Sequence, residues 1–428
     1  MKTISKLALV LALTGVSGLA LTVPASAAKK EEKAGPKYSP EVMKAAQVAQ
    51  PAIAAKDFAT AETALGQVDA AVKTDDDKYL AAALRYDMEN QKLVQQQTAN
   101  PNAPLNETAL AGPLDALIAN PQTPAADKAK YAYRRGALAY NGKQYPVALQ
   151  YFAQAKQLGY TDPNLNLQIT QAKVSSGDVA GGLADLQESI KAQVAAGQKP
   201  PEDYFRYGIA RANQAKLPTT GDWLRSYVTA YPTAKNWRDV IVTYGLSGNS
   251  IAKLTDPQKI DLFRLMRQTK SLADQNDYLE YADDVQRRGL PNEAQTVLKE
   301  GMANGKIPAG NTQAKDLLAA ATTSIKADGP IAPQEKRATA AADGKIAVAT
   351  ADGYLGLENY TKAAELYRLA LTKGGVDADE VNTRLGIALV RGGDREGAKA
   401  AFAAVKGAPR TGIAQLWTAY LEAPAPAA

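Results

Sequence analysis

Cysteine and histidine are both absent from the 428 residues. No disulfide can form, and thiol nucleophiles, Ser-His-Asp triads and the usual zinc ligands are missing. Any chemistry would have to rest on carboxylates, Lys, Tyr or Ser. A chain without Cys also cannot be anchored as a bacterial lipoprotein. Aromatics other than Tyr are scarce, with 5 Phe and 3 Trp against 20 Tyr. Beyond the first 27 residues no apolar run approaches the roughly 18 that a membrane span needs. A strong charge of one sign is missing too, since 50 Lys and Arg stand against 44 Asp and Glu spread along the chain. Nucleic-acid binders concentrate basic charge on one face. Here the densest cluster, KKEEK at 29–33, carries its own counter-charges, so nucleic acid is not an expected partner.

What is present begins with a layout for export. MKTISK supplies two lysines, an apolar run follows, and Ala25-Ser26-Ala27 is a small-residue cleavage site. This is the pattern of a secretory signal peptide over 1–27, and its removal takes Lys2 and Lys6 from the basic count. The mature chain is expected in the periplasm or secreted, with no membrane span. Residues 28–38 form a charged, Pro-containing lead-in, and 422–428 a tail ending APAPAA. Between them, Ala-rich helical patterns alternate with Gly, Asp, Asn and Pro punctuation, which predicts an all-α chain over 39–421.

A spacing recurs within that span. Tyr145, Ala148, Phe152 and Ala155 run bulky, small, bulky, small, and 34 residues later stand Val179, Gly182, Leu186 and Ser189. Ala294, Leu298 and Gly301 repeat the small-large-small part. Tyr360, Ala363, Tyr367 and Ala370 are followed by Arg395, Ala398, Phe402 and Val405, and an early copy is Phe58, Ala61, Leu65 and Val68. Twelve residues before the first small position lies another small residue: Gly136, Ala282, Ala351 or Gly386. Small residues let paired helices approach. The large one is expected to fill the space toward the next repeat, where burial stabilises by about 1.5–3 kcal/mol.

On these residues the chain resembles the tetratricopeptide repeat family, whose period is about 34 residues. RRGALAYNGKQYPVALQYFAQA and TRLGIALVRGGDREGAKAAFAAV carry the best matches. Tyr160 departs from the usual Pro, which follows slightly late at Asp162-Pro163. The wording of DYLEYADDVQRRGLPNEAQTVLKEG is also similar to exported members from Gram-negative bacteria. The resemblance implies a right-handed α-solenoid of stacked antiparallel helix pairs, a superhelix of about nine to ten pairs, some divergent. The clearest repeats are 129–192, 275–304 and 345–405, with a possible break near 326–340. A continuous solenoid is favoured over separate domains, because stacked repeats share one core.

Searching for chemistry leaves little. Asp75-Asp76-Asp77 falls at a repeat loop and reads as a solvated turn and cap. Asp283-Asp284 lies on a helix whose neighbouring residues point apart. Glu188-Ser189 offers the bare dipeptide of the lytic transglycosylase motif, but no Gly-Leu-Met-Gln stretch follows. No phosphate loop, calcium loop or metal spacing is present. The expectation is a chain that is not an enzyme and takes no cofactor or metal.

The groove remains. The resemblance implies that the first helix of each pair lines a concave surface. In the clearest repeat this places Lys130, Tyr133, Arg134, Ala137, Tyr140 and Asn141 there; the next adds Asn164, Leu167, Gln168, Gln171, Val174 and Ser175, and the one after it Phe205, Arg206 and Asn213. Lys130 and Arg134 match a pair that clamps a terminal carboxylate in some family members, although two cations a turn apart also suit a solvated face. Tyr, Asn and Gln supply π faces and directional hydrogen bonds suited to a peptide. The expected function is an envelope scaffold binding protein or peptide segments in the groove; the alternative is a module binding glycan or cell-wall polymer on the same surface.

Overall fold

The computed structural model describes residues 36–424, so the signal peptide at 1–27 and most of the lead-in and tail lie outside the described residues. Twenty-one α-helices, one 3-10 turn and one π-helical turn (Val242–Leu246) occur among them, with no strand. The chain divides into two compact units, the first ending at Pro124 and the second beginning at Ala125.

The first unit holds α1 (Pro40–Ala54), α2 (Phe58–Ala71), α3 (Asp75–Ala99) and α4 (Ala111–Ala119). Val42, Ala49, Ile53, Ala61, Leu65, Val68 and Leu84 form its core. Asp77 ties it together. The Thr74 side chain accepts from the Asp77 N–H, and Asp77 accepts from the Thr74 N–H at 3.0 Å, a reciprocal cap at the start of α3. Asp77 also accepts from the Ser39 N–H at 2.8 Å, the Ser39 hydroxyl at 2.7 Å and the Lys73 N–H at 3.1 Å. Burial would push this carboxyl up, but the donors outweigh it and hold it well below the usual carboxylate range. The solvated turn expected at 75–77 is thus half right. Asp75 is exposed beside Lys78, whereas Asp77 is fully buried and joins the start of α1 to the start of α3.

The second unit opens with three successive pairs: α5 (Ala125–Asn141) with α6 (Tyr145–Gln157), α7 (Leu165–Ser175) with α8 (Val179–Ala195), and α9 (Glu202–Gln214) with α10 (Thr220–Ala230). After α11 (Ala234–Ile241) and α12 (Asp256–Gln268) come α13 (Gln275–Arg287), α14 (Pro291–Ala303), α15 (Thr312–Asp328) and α16 (Ala332–Ala340). The unit ends with α17 (Lys345–Gly356), α18 (Tyr360–Lys373), α19 (Ala378–Arg391), α20 (Arg395–Ala403) and α21 (Arg410–Glu422). Short connections make the partners in each pair antiparallel. The result is an α-solenoid of helix pairs.

The recurring small and large residues are its joints. Ala148, Ala155, Ala294, Ala363 and Ala398 are buried, as are Phe152, Leu186, Leu298, Tyr367 and Phe402. Gly136, Gly182 and Gly386 are buried as well. The large residue meets its own repeat, not only the next one. A Cβ on Gly136 would lie 2.6 Å from the Phe152 ring, and one on Gly386 would lie 2.3 Å from the Phe402 ring. Each glycine leaves a helix backbone bare so that an aromatic ring can lie flat against it, and in the divergent repeat Gly208 does the same for Trp223.

The turn inside each pair also repeats. One residue takes the left-handed conformation and, except before α10, where Thr219 precedes the helix, the next stands at the N-cap of the second helix. Glycine occupies the first position at Gly177, Gly289 and Gly393, but Lys56, Lys143, Lys216 and Glu358 adopt it with φ of 60°, 59°, 53° and 59°. The capping partners include Asp57, Asp178, Asn359 and Asp394, each accepting an N–H three residues on. A side chain in this conformation costs about 1–2 kcal/mol, against about 0.5–1 kcal/mol for the extra freedom of glycine in the unfolded chain. Lys143→Gly is therefore expected to stabilise the second unit by about 0.5–1 kcal/mol. A rise in the urea midpoint at constant slope would show it, and a fall would mean that Lys143 holds the turn through its side chain.

Candidate functional site: the faces of the first helices

The first helices of the opening pairs carry a strip of tyrosines and amides. Tyr133 on α5 stacks on Tyr160 with ring centroids 4.4 Å apart and lies tilted against Phe152 at 5.9 Å. Gln168 on α7 donates to its hydroxyl at 2.8 Å. The Gln168 Oε1 is buried without a hydrogen-bond partner among the described residues. Tyr140 lies against Tyr145 at 5.7 Å and its hydroxyl is 3.5 Å from Ser175 Oγ on α7. Tyr207 on α9 feels Tyr140 electrostatically and has the Arg211 guanidinium 5.3 Å from its ring. Burial pushes the Tyr133 and Tyr207 hydroxyls up, so both are neutral donors at neutral pH.

The remaining residues expected in the groove are distributed unevenly. Lys130 is exposed and pairs with Asp127 at 3.2 Å, whereas Arg134, one turn on, is 8% exposed. The two cations of the suggested clamp are therefore not brought together on one accessible surface. Asn141, Asn164 and Asn213 are exposed, and Gln171 is half-buried. Arg206 is exposed, donates to Glu202 at 2.7 Å and lies 6.0 Å from the Tyr227 ring.

A different arrangement is seen around α12. Its residues Ile260, Asp261, Leu262, Phe263, Arg264, Leu265 and Met266 are all buried, so the helix is enclosed on every side. Around it stand α13, α14, α19 and α21, which reach it through packing or hydrogen bonds. Arg264 donates to Glu293 of α14 at 2.9 and 2.6 Å and to Asp261 at 2.9 Å. Arg410 of α21 donates to the other Asp261 oxygen at 2.8 Å, and the Arg384 Nε lies 3.6 Å from Asp261. Arg384 of α19 in turn holds Asp352 at 2.7 Å and Glu380 at 2.6 Å. Tyr281 and Tyr367 donate to Glu293 and Asp352, each at 2.6 Å. Burial would push the Glu293 carboxyl up, but the Arg264 guanidinium and the Tyr281 hydroxyl hold it below the usual range.

The residues of α19 in this network occupy the groove register. Glu380, Arg384 and Arg391 stand six and two residues before, and five after, Gly386; Lys130, Arg134 and Asn141 have the same spacing about Gly136. In one repeat, then, this helix face receives another helix of the same chain. Composition and spacing did not single out Asp261, Arg264, Glu293, Asp352, Arg384 or Arg410. The one available signal was IDLFRLM, in which Ile260, Leu262, Phe263, Leu265 and Met266 spread over most of the helix circumference.

Among the carboxylate pairs, Asp284 is buried and pairs with Arg287, with Asp283 3.4 Å from the same guanidinium. Burial raises the Asp284 carboxyl. No helix of the described residues is long and apolar enough to cross a membrane. No group of three or more His, Cys, Asp or Glu side chains among the described residues could hold a metal ion.

No family model matches the chain, and no curated protein matches it. Among solved structures it is similar to the pentatricopeptide repeat protein PPR10 from maize, at 14% identity and a TM-score of 0.27, covering 87% of this chain and 59% of that one. It is also similar to the APC/C hetero-tetramer Cut9-Hcn1, at 12% identity and a TM-score of 0.18, over 87% and 89% of the two chains. A circular tandem repeat protein of novel repeat topology matches at 14% identity and a TM-score of 0.12, over 89% and 94%. At these scores, the fold assignment rests on the helix pairing itself.

Proposed function

We propose that this chain is a non-enzymatic scaffold of the cell envelope, exported through a cleaved signal peptide to the periplasm or beyond. It holds protein or peptide segments on the face formed by α5, α7 and α9. The observation that carries this reading is the seating of α12 against α19, where Arg384 lies 3.6 Å from Asp261 and Arg391 donates to the Arg264 carbonyl. The corresponding face of the opening repeats offers Lys130, Tyr140, Asn141 and Arg206 at least partly exposed. Tyr and Arg are the residues on which binding energy concentrates.

The test is affinity capture from envelope extracts with quantitative protein identification. The full mature protein is compared with Lys130→Glu/Tyr140→Ala, after circular dichroism confirms that both are folded. A protein retained by the wild type and reduced by about tenfold in the variant is the expected result. Retention of the same proteins in equal amounts by both would move binding off this face, and capture of wall polymer alone would overturn the scaffold reading.

A further inference from the structure

A second surface lies away from that strip, at the ends of the helix pairs. A pocket of ≈ 600 Å³ opens where the turn between α6 and α7 faces the turn between α8 and α9. This is within the range of about 300–1,000 Å³ usual for small-molecule sites. Its lining is polar and aromatic. Leu165 is the sole aliphatic side chain apart from two prolines, so an apolar peptide anchor would find little to bury against.

Several of its polar groups are already satisfied and serve as walls. The Tyr204 hydroxyl donates to the Pro163 carbonyl. Asp162 accepts the Asn164 N–H at 2.7 Å, and the Tyr160 ring stands at the rim stacked on Tyr133. Asn166 donates to Ser189 Oγ at 2.9 Å, which sets the orientation of its amide.

Others keep hydrogen-bonding capacity to spare. Lys156 and Lys199 line the same pocket, and neither pairs with a carboxylate among the described residues. The Lys156 Nζ is 3.4 Å from Asn166 Oδ1, and the Lys199 Nζ lies 4.0 Å from the centre of the Tyr231 ring. The Gln198 amide and the Thr161 hydroxyl are exposed and make no side-chain hydrogen bond there. The pocket therefore sets two lysines against one carboxylate, Asp162, an excess of one positive charge, beside an aromatic rim and amide and hydroxyl groups that both donate and accept.

We infer that this pocket binds an acidic oligosaccharide, with Lys156 and Lys199 on its carboxylate groups and Gln198 and Thr161 on its hydroxyls. A sugar ring presents hydroxyls that match amides in both directions and an edge of C–H groups that lies on a tyrosine face. Its carboxylates supply the negative charge that the two lysines lack. The site is separate from the proposed protein-binding face, so either can be disproved without the other.

The experiment is calorimetric titration of the full mature protein with an oligogalacturonate, its methyl ester, a neutral chito-oligosaccharide and an acidic peptide of equal charge. Binding of the oligogalacturonate alone is expected, weakened about tenfold or more by Lys156→Ala/Lys199→Ala and by Gln198→Ala. Lys130→Glu/Tyr140→Ala should leave it unchanged. The side chains altered at the pocket are exposed and Tyr140 is half-buried, and an unchanged thermal midpoint will confirm intact folding. Absence of oligogalacturonate binding, equal binding of the ester, indifference to the lysine changes, or lysine-dependent binding of the peptide in place of the sugar would each overturn the assignment.

Discussion

Asp261→Ala is expected to destabilise the second unit by about 3–5 kcal/mol, the usual cost of breaking a buried ion pair from one side. Asp261 is fully buried and is the shared acceptor for Arg264 and Arg410, with Arg384 close by. Arg264 and Arg384 are almost completely buried and Arg410 is 5% exposed, so none of the three can recover water when the carboxylate is removed. Glu293, Asp352 and Glu380 still match the three guanidinium charges in number, but the Arg264 and Arg410 N–H groups aimed at Asp261 lose their acceptor in a site without water. Trp417 donates through Nε1 to the Asp261 carbonyl, and all three tryptophans lie in the second unit, so tryptophan fluorescence in urea reads this loss directly. A change below about 1 kcal/mol, the value of an exposed pair, would mean that water reaches the network.

The second large effect is confined to the other unit. Asp77→Ala removes the acceptor for three backbone N–H groups and the Ser39 hydroxyl, and is expected to cost about 2–4 kcal/mol. The first unit contains no tryptophan, so helix content should fall earlier in urea while tryptophan fluorescence keeps its midpoint. Acid has a related effect with a definite sign. The folded carboxyl of Asp77 titrates below its unfolded value, so its contribution is complete above about pH 4 and is lost as pH falls through the folded pKa. The difference between wild type and Asp77→Ala should therefore shrink between pH 7 and pH 3. A difference that persists undiminished at pH 3 would place the stabilisation elsewhere.

The repeat was legible because its joints need particular sizes at particular places. A glycine under Phe152 or Phe402 admits no side chain, and the spacing of helix pairs copies that requirement along the chain. The left-handed lysines were not legible, since nothing about lysine announces a positive φ. The setting of α12 was hidden for a related reason. TDPQKIDLFRLMRQ reads as the partner of the preceding helix, and α12 does contact α11. Its enclosure depends on α14, α19 and α21, which arrive from distant parts of the sequence. Asp77 was misjudged in the same way, because its partner Ser39 lies 38 residues upstream. Of the candidate groove residues, Tyr133 meets Gln168 and Tyr140 meets Ser175 across α5 and α7, whereas Arg134 is covered. Burial of one long polar side chain on a predicted exposed face is a matter of packing that helical spacing alone does not encode.

Helix α21 also changes how the molecule is completed. An array of stacked pairs can ordinarily add its units one by one, each resting on its predecessor. Here the Arg225 guanidinium on α10 binds Gln415, 190 residues later, and Gln268 on α12 binds the hydroxyl of Tyr420, 152 residues later. During vectorial synthesis the stretch from α10 onward cannot acquire these contacts until α21 has emerged. Helix α21 is thus a closing stitch, and the high separation of its contacts predisposes this stretch to late, all-at-once folding, in contrast to the local pairing of α5 with α6.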